Sequence, residues 1–130
     1  MDPMDADFLH ELVPEATFKR SEESDDAGRV LMHLAGELDM FISPGLQARF
    51  HELAEDGTHD VVVDLSDARF IDTTVLETFV TAQQELQSHK HALAVVAPAP
   101  YTRRTFELTG LDGTLQVCGS RDEAFAALTT

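Results

Sequence analysis

The chain has 130 residues, 43% apolar and 25% charged, with 24 acidic against 9 basic side chains and a formal net charge of −15. That length suits one domain with a core of its own, and the composition is that of a globular protein. So negative a surface repels nucleic acid and anionic membranes, and no apolar run is long enough to cross a bilayer, so direct nucleic-acid binding and a membrane location are not expected.

The chain opens on MDPMDADFLHEL. A secretory signal needs a basic start and an apolar core, and a transit peptide is Arg-rich and acid-poor. This stretch is neither, so the expected location is the cytoplasm. Residues 1–14 read as an acidic extension ending at Pro14. Within it Met4, Phe8, Leu9, Leu12 and Val13 have helical spacing, and a short docking helix and a disordered arm both fit. The domain proper is expected over 15–130.

A possible strand over 16–21 is followed by a polar turn, EESDDAG, over 22–28. RVLMHLAG (29–36) alternates: Val30, Met32 and Leu34 face one side, Leu31 and His33 a wetter one. Together these predict a hairpin. In SPGLQARFHELAEDG, Ser43 is placed as a cap and Pro44 at the first helical position. Leu46, Phe50, Leu53 and Ala54 form an apolar stripe, and Gly57 is placed to close the helix.

DVVVDL (60–65) is a continuous β-branched run, as in a central strand covered on both faces. A helix from about Thr74 to Ser88 presents Val75, Leu76, Phe79, Val80 and Leu86 on one broad face. ALAVVAP (92–98) is a second buried strand. YTRRTFELTG is a short helix ended by Gly110, and TLQVC is another strand. SRDEAFAALTT is a last helix with a Ser120–Glu123 capping box. Strand and helix alternate in the later part, which requires parallel pairing through helical crossovers. The predicted fold is α/β: a mixed, mostly parallel sheet with an N-terminal antiparallel hairpin and about four helices.

In such a sheet, ligands and partners meet the loops at the carboxyl ends of the strands. DLSDARFIDTTVL is such a loop, crowded with Asp64, Asp67 and Asp72 around Arg69. Thr74 to Glu77 has the spacing of a capping box, and Asp72 serves equally well as the cap. Neither accounts for the whole stretch.

HLAGELDM (33–40), DVVVDLSDARFIDTTVL (60–76) and RRTFELTGLDG (103–113), in that order, resemble the STAS domain, and more narrowly the bacterial anti-sigma factor antagonists. The resemblance covers roughly residues 15–128 and implies a single STAS-like domain. The family's loop usually reads Asp-Ser-Ser or Asp-Ser-Thr, then Gly, then Leu, with the phosphate acceptor directly after the aspartate. That position is Thr73 here, with Thr74 the alternative. Threonine stands for the usual serine, and Val75 for the usual glycine.

The resemblance implies a partner switch that regulates transcription. The unphosphorylated protein binds an anti-sigma factor with a histidine-kinase-like ATPase fold, freeing the sigma factor. The ATPase phosphorylates the antagonist and releases it, and a PP2C-type phosphatase reverses the mark. Asp72, Thr73 and Thr74, with Glu37 and Asp39 of GELD and Glu77 and Gln84 of the following helix, are the implied partner-binding residues. GELD is placed just after the second strand. A constitutive STAS scaffold or transporter-associated subunit, without phosphorylation, is the alternative. Monomer is the default state.

Other chemistry has little to select it. Cys118, the single cysteine, reads as a small buried residue. Arg103 and Arg104 read as a solvated helix face, with a phosphate contact the sharper alternative. The six histidines lack an i,i+4 pair with a carboxylate motif, so no metal site is expected. There is no phosphate-cradling glycine loop and no nucleophile elbow. A protein without catalysis or cofactor is expected.

Overall fold

A computed structural model describes residues 18–56 and 59–128. Lys19–Ser24 (β1) and Val30–Leu38 (β2) form an antiparallel hairpin, Lys19 opposite Ala35 and Ser24 opposite Val30. A 3-10 turn, Met40–Ile42, runs straight into helix α1, Ser43–Asp56. Then come Val61–Asp64 (β3), Ala68–Ile71 (β4), Thr73–Ser88 (α2) and Leu93–Val96 (β5). Pro100–Thr109 (α3), a second 3-10 turn at Leu111–Gly113, Gln116–Cys118 (β6) and Arg121–Leu128 (α4) complete the order.

The sheet runs β1-β2-β3-β5-β6, and β4 pairs with β2 as well. Apart from the β1–β2 hairpin every pairing is parallel. This is the predicted mixed α/β sheet, with four helices among the described residues. All of β3 is buried, as its β-branched run requires of a central strand.

The sheet's alternation divides the core between its two faces. Val30, Met32 and Leu34 of β2 share the larger core with Leu46 and Phe50 of α1, Leu76 and Phe79 of α2, and Phe106 of α3. Phe50 and Phe79 meet edge to face, centroids 6.0 Å apart; such a pair adds about 1 kcal/mol to the burial of its area. Leu31, Val62, Ala94, Val96 and Cys118 point the other way and pack under Ala124 and Phe125 of α4. Cys118 is buried as expected, and that burial pushes its thiol up.

Gly110 ends α3 in the left-handed region, φ 76°, which glycine enters without a Cβ penalty. Ser120 caps α4: its hydroxyl accepts from the Glu123 amide at 3.1 Å, and the Glu123 carboxylate reaches back to the Gly119 amide at 2.8 Å. The predicted box is therefore present, its return bond one residue earlier than the usual pattern.

Several boundaries differ from the expectations. β1 runs to Ser24, through part of the expected turn. The turn itself is built by Asp25, whose Oδ1 accepts from the Ala27 and Arg29 amides. β2 continues to Leu38, so Glu37 belongs to the strand and not to a loop after it. Ser43 is not a cap, because it already has helical angles and is buried; Asp39 starts the preceding turn instead. β4 was not anticipated, its four residues having only their two ends buried. The helix expected from Thr74 starts at Thr73. The N-terminal extension and Gly57 lie outside the described residues.

Candidate functional site

β2 and β4 deliver two chain segments to the same place. Leu38 pairs with Ile71 in parallel register, and the amide of the next residue, Asp72, donates to the Leu38 carbonyl at 2.8 Å. The residues that follow the pair are therefore neighbours: Asp39 on one segment and Asp72 on the other.

Both aspartates are caps. The Asp39 carboxylate accepts from the Phe41 amide at 3.0 Å and starts the 3-10 turn. The Asp72 carboxylate accepts from the Thr74 amide at 2.7 Å, with extended angles of φ −86° and ψ 149°. A short acidic side chain in extended backbone satisfies an otherwise orphaned N–H and lies at the positive end of the helix dipole. Thr74 therefore does not head a capping box: Asp72 is the N-cap, and with Val75 three residues on no return bond is made.

The cap fixes which side chains face outward. Thr73 and Thr74 are exposed, while Val75 and Leu76 are fully buried in the core. Val75 lies inside α2, where glycine's extra backbone freedom is not needed and a branched side chain fills space. Glu77 is exposed one turn along and Gln84 further on. Glu37 is exposed on β2, opposite Phe70 of β4. Glu37, Asp39, Asp72, Thr73, Thr74 and Glu77 thus follow from the two paired strands and the helix that β4 feeds.

Asp64 and Asp67, grouped with Asp72 by sequence, have other tasks. Asp64 is buried and lies 2.6 Å from Arg121 Nε. Burial alone would raise its carboxyl, but the Ser66 hydroxyl and amide, then the Arg121 guanidinium, outweigh burial and hold it below the ordinary value of 3.8. Asp67 lies 2.7 Å from His33 Nε2. Asp72 is the member of the three that caps the helix bearing the threonines.

Two apolar residues beside the site went unnoticed in the sequence. Met40 is 51% and Phe41 85% exposed, on the turn that Asp39 caps. Burying such side chains against a partner is favourable by about 1.5–3 kcal/mol each. The available signal was an apolar pair set between a capping aspartate and a helix start.

The histidines spread over the surface. His33, His51, His59 and His91 each sit against a carboxylate, of Asp67, Glu85, Asp56 and Asp60 respectively. Among the described residues no three or more His, Cys, Asp and Glu are grouped to hold a metal, and no helix is long and apolar enough to cross a membrane. Arg103 is half-buried beside Gly119, and its Nε makes no hydrogen bond; Arg104 is exposed.

The family model of the STAS domain matches residues 19–124. The chain is 31% identical over 84 residues to an anti-sigma-B factor antagonist of Staphylococcus aureus, covering 65% of this chain and 78% of that protein. Among solved structures, an anti-sigma factor antagonist from Mycobacterium paratuberculosis superposes with a TM-score of 0.78 at 28% identity. That match covers 88% of this chain and 96% of the other. The anti-sigma factor antagonist SpoIIAA in its unphosphorylated form superposes with a TM-score of 0.73 at 19% identity, covering 85% of this chain and 96% of the other; at that identity the likeness speaks for the fold.

Proposed function

The chain belongs to the STAS domain family, and on that premise we propose that it is an anti-sigma factor antagonist, switched by phosphorylation at Thr73. The observation that carries this reading is the Asp72 cap, which leaves the Thr73 hydroxyl exposed at the N-terminus of α2. Asp39 and the Met40–Phe41 turn lie beside it. The antagonist names of its relatives support the same reading.

In its unphosphorylated form the chain binds, as a monomer in the cytoplasm, an anti-sigma factor with a histidine-kinase-like ATPase fold. Met40 and Phe41 supply the apolar contact; Glu37, Asp39, Asp72, Thr74 and Glu77 supply its acidic and polar part. A net charge of −15 suits a partner with a basic contact face. The chain itself carries out no catalysis: it is the phosphate acceptor of its partner.

Phosphorylation adds about −1.5 to −2 charges at pH 7. On Thr73 that charge stands directly after Asp72 and near Asp39. The helix N-terminus favours the phosphate locally, while a strongly hydrated, doubly charged group crowded against Asp72 and Asp39 resists desolvation and holds the Met40–Phe41 contact apart. The complex then dissociates, and a PP2C-type phosphatase restores the binding form.

The test is co-purification from the native cytoplasm with wild type and Thr73→Glu as baits, read by mass spectrometry. Glu carries one charge and imitates the phosphate in part. Wild type retains a kinase-like ATPase and Thr73→Glu loses most of it. Equal retention by both baits would replace the switch with a constitutive STAS scaffold.

A further inference from the structure

Between the start of β1 and the start of α1 lies an open groove of about 410 Å³, lined by Phe18, Arg20, Phe41, Ile42, Gly45 and Leu46. Phe18 and Ile42 are half-buried and Leu46 is fully buried, so the floor is apolar and continuous with the larger core. Phe41 stands 85% exposed in the lining, and covering it removes apolar area from water. Gly45 keeps room for an occupant. It lies in the first turn of α1, although glycine is a poor helix former. Its φ is not positive, and a Cβ at this position would have no atom within 4 Å. Neither backbone angle nor packing among the described residues calls for glycine here; what it permits is a close approach to the helix.

The charge of the groove selects the flank of that occupant. Arg20 is the one charged side chain in the lining. Its neighbour Glu22 is taken up by Arg49, whose Nε and Nη2 donate to the carboxylate at 2.9 and 2.8 Å, and Glu22 stands 4.0 Å from Arg20. The Arg20 guanidinium thus keeps donors for a further acid. An apolar cleft with a basic edge fits an apolar segment flanked by acids. A net charge of −15 disfavours a second copy as its source. A segment of the right composition is tethered at the groove itself. The chain enters β1 through Phe18, at the edge of the sheet where β2 runs out toward Asp39. The preceding sequence, outside the described residues, carries Phe8, Leu9, Leu12 and Val13 among Asp5, Asp7, Glu11 and Glu15. Val13 is separated from Phe18 by a span of about 17 Å when extended, and so short a tether holds the segment at roughly millimolar effective concentration.

We propose that residues 8–13 of this chain occupy the groove, laying their apolar side chains over Gly45 and Phe41 with a flanking carboxylate against Arg20. Phe41 also belongs to the partner face proposed above. Segment and partner therefore compete for it, and that consequence alone rests on the antagonist reading.

The test is NMR of the full, isotope-labelled chain as wild type, Leu12→Asp, Arg20→Glu and Gly45→Leu. The Gly45→Leu side chain suits a helix and enters the open groove. Expected in wild type are nuclear Overhauser contacts from the Phe8 and Leu12 side chains to Phe41 and Ile42, unchanged on dilution. They are lost in Leu12→Asp and Gly45→Leu and weakened in Arg20→Glu, while the amides of β3 and β5 keep their wild-type shifts. No such contacts in wild type, contacts that survive Gly45→Leu, or contacts that fade on dilution, as from a second copy, would overturn the proposal. No partner and no phosphate enter this experiment. Loss of Thr73 control in the co-purification would remove the switch and leave the docked segment standing; absent contacts would remove the segment and leave the switch.

Discussion

The amide of Asp72 donates to the carbonyl of Leu38 at 2.8 Å, and that bond sets two aspartate caps side by side. One starts the turn that exposes Met40 and Phe41; the other starts the helix that exposes Thr73 and Thr74. The end of β2 and the end of β4 thereby contribute one surface, although 32 positions separate the caps in the sequence. In the proposed switch, a charge placed on Thr73 acts on a contact face made by both segments.

Removing the Asp72 cap should loosen the first turn of α2. Asp72→Ala leaves the Thr74 amide without its acceptor and is expected to cost about 1 kcal/mol. Asp72→Asn keeps an acceptor and should lie within a few tenths of wild type. Thermal or urea denaturation of the three proteins reads the difference.

Val75→Gly restores the residue usual in the family's loop and should be harmful here. Val75 is fully buried within α2. The change removes a buried side chain and adds a helical glycine, together about 3 kcal/mol. A urea midpoint at or above that of wild type would contradict this placement of Val75.

Much of this architecture was legible because it rests on strong periodicity. The valines at 61–63 had to be a covered strand, and the stripe of Leu46, Phe50, Leu53 and Ala54 had to be a helix face; all are buried. β1 was misplaced because KRSEES carries no apolar alternation to mark it: it is an edge strand held by its ladder to β2. β4 escaped because Arg69 and Phe70 are both exposed, which breaks the strand period. Ser43–Pro44 imitated a helix start, while the turn that begins at Asp39 continues into α1 without a break. The Asp-Thr-Thr stretch was visible as a motif. The Ser43 hydroxyl was not, because whether a buried group is paired is decided by tertiary packing.

Asp64 makes an acid-sensitive contribution to stability. Its carboxyl is held below the ordinary 3.8, so the folded state binds its proton less tightly than the unfolded state. The contribution is fully present above 3.8 and is lost as pH falls through the lower folded value. Asp64→Ala should therefore cost about 2 kcal/mol at pH 7, with the gap to wild type closing in strong acid. Denaturation midpoints of the two proteins, followed from neutral pH downward, test the sign.

Ser43→Ala should behave oppositely in the free protein. The hydroxyl it removes is buried and unpaired, so its loss is expected to be neutral or to stabilise by up to about 1 kcal/mol. Calorimetric melting of the free chain checks this. A destabilisation of similar size would mean that the hydroxyl has a partner in the folded chain.

The central claim is that Thr73 is the phosphate acceptor that gates binding. Its most direct measurement is mass-spectrometric mapping of phosphate on the protein isolated from its native cells, for wild type, Thr73→Ala and Thr74→Ala. The account predicts phosphate on Thr73 in wild type and in Thr74→Ala, and no mark at this helix start in Thr73→Ala. Phosphate on Thr74, or an unmarked Thr73 while the kinase-like partner is still bound and released in cycles, would contradict it.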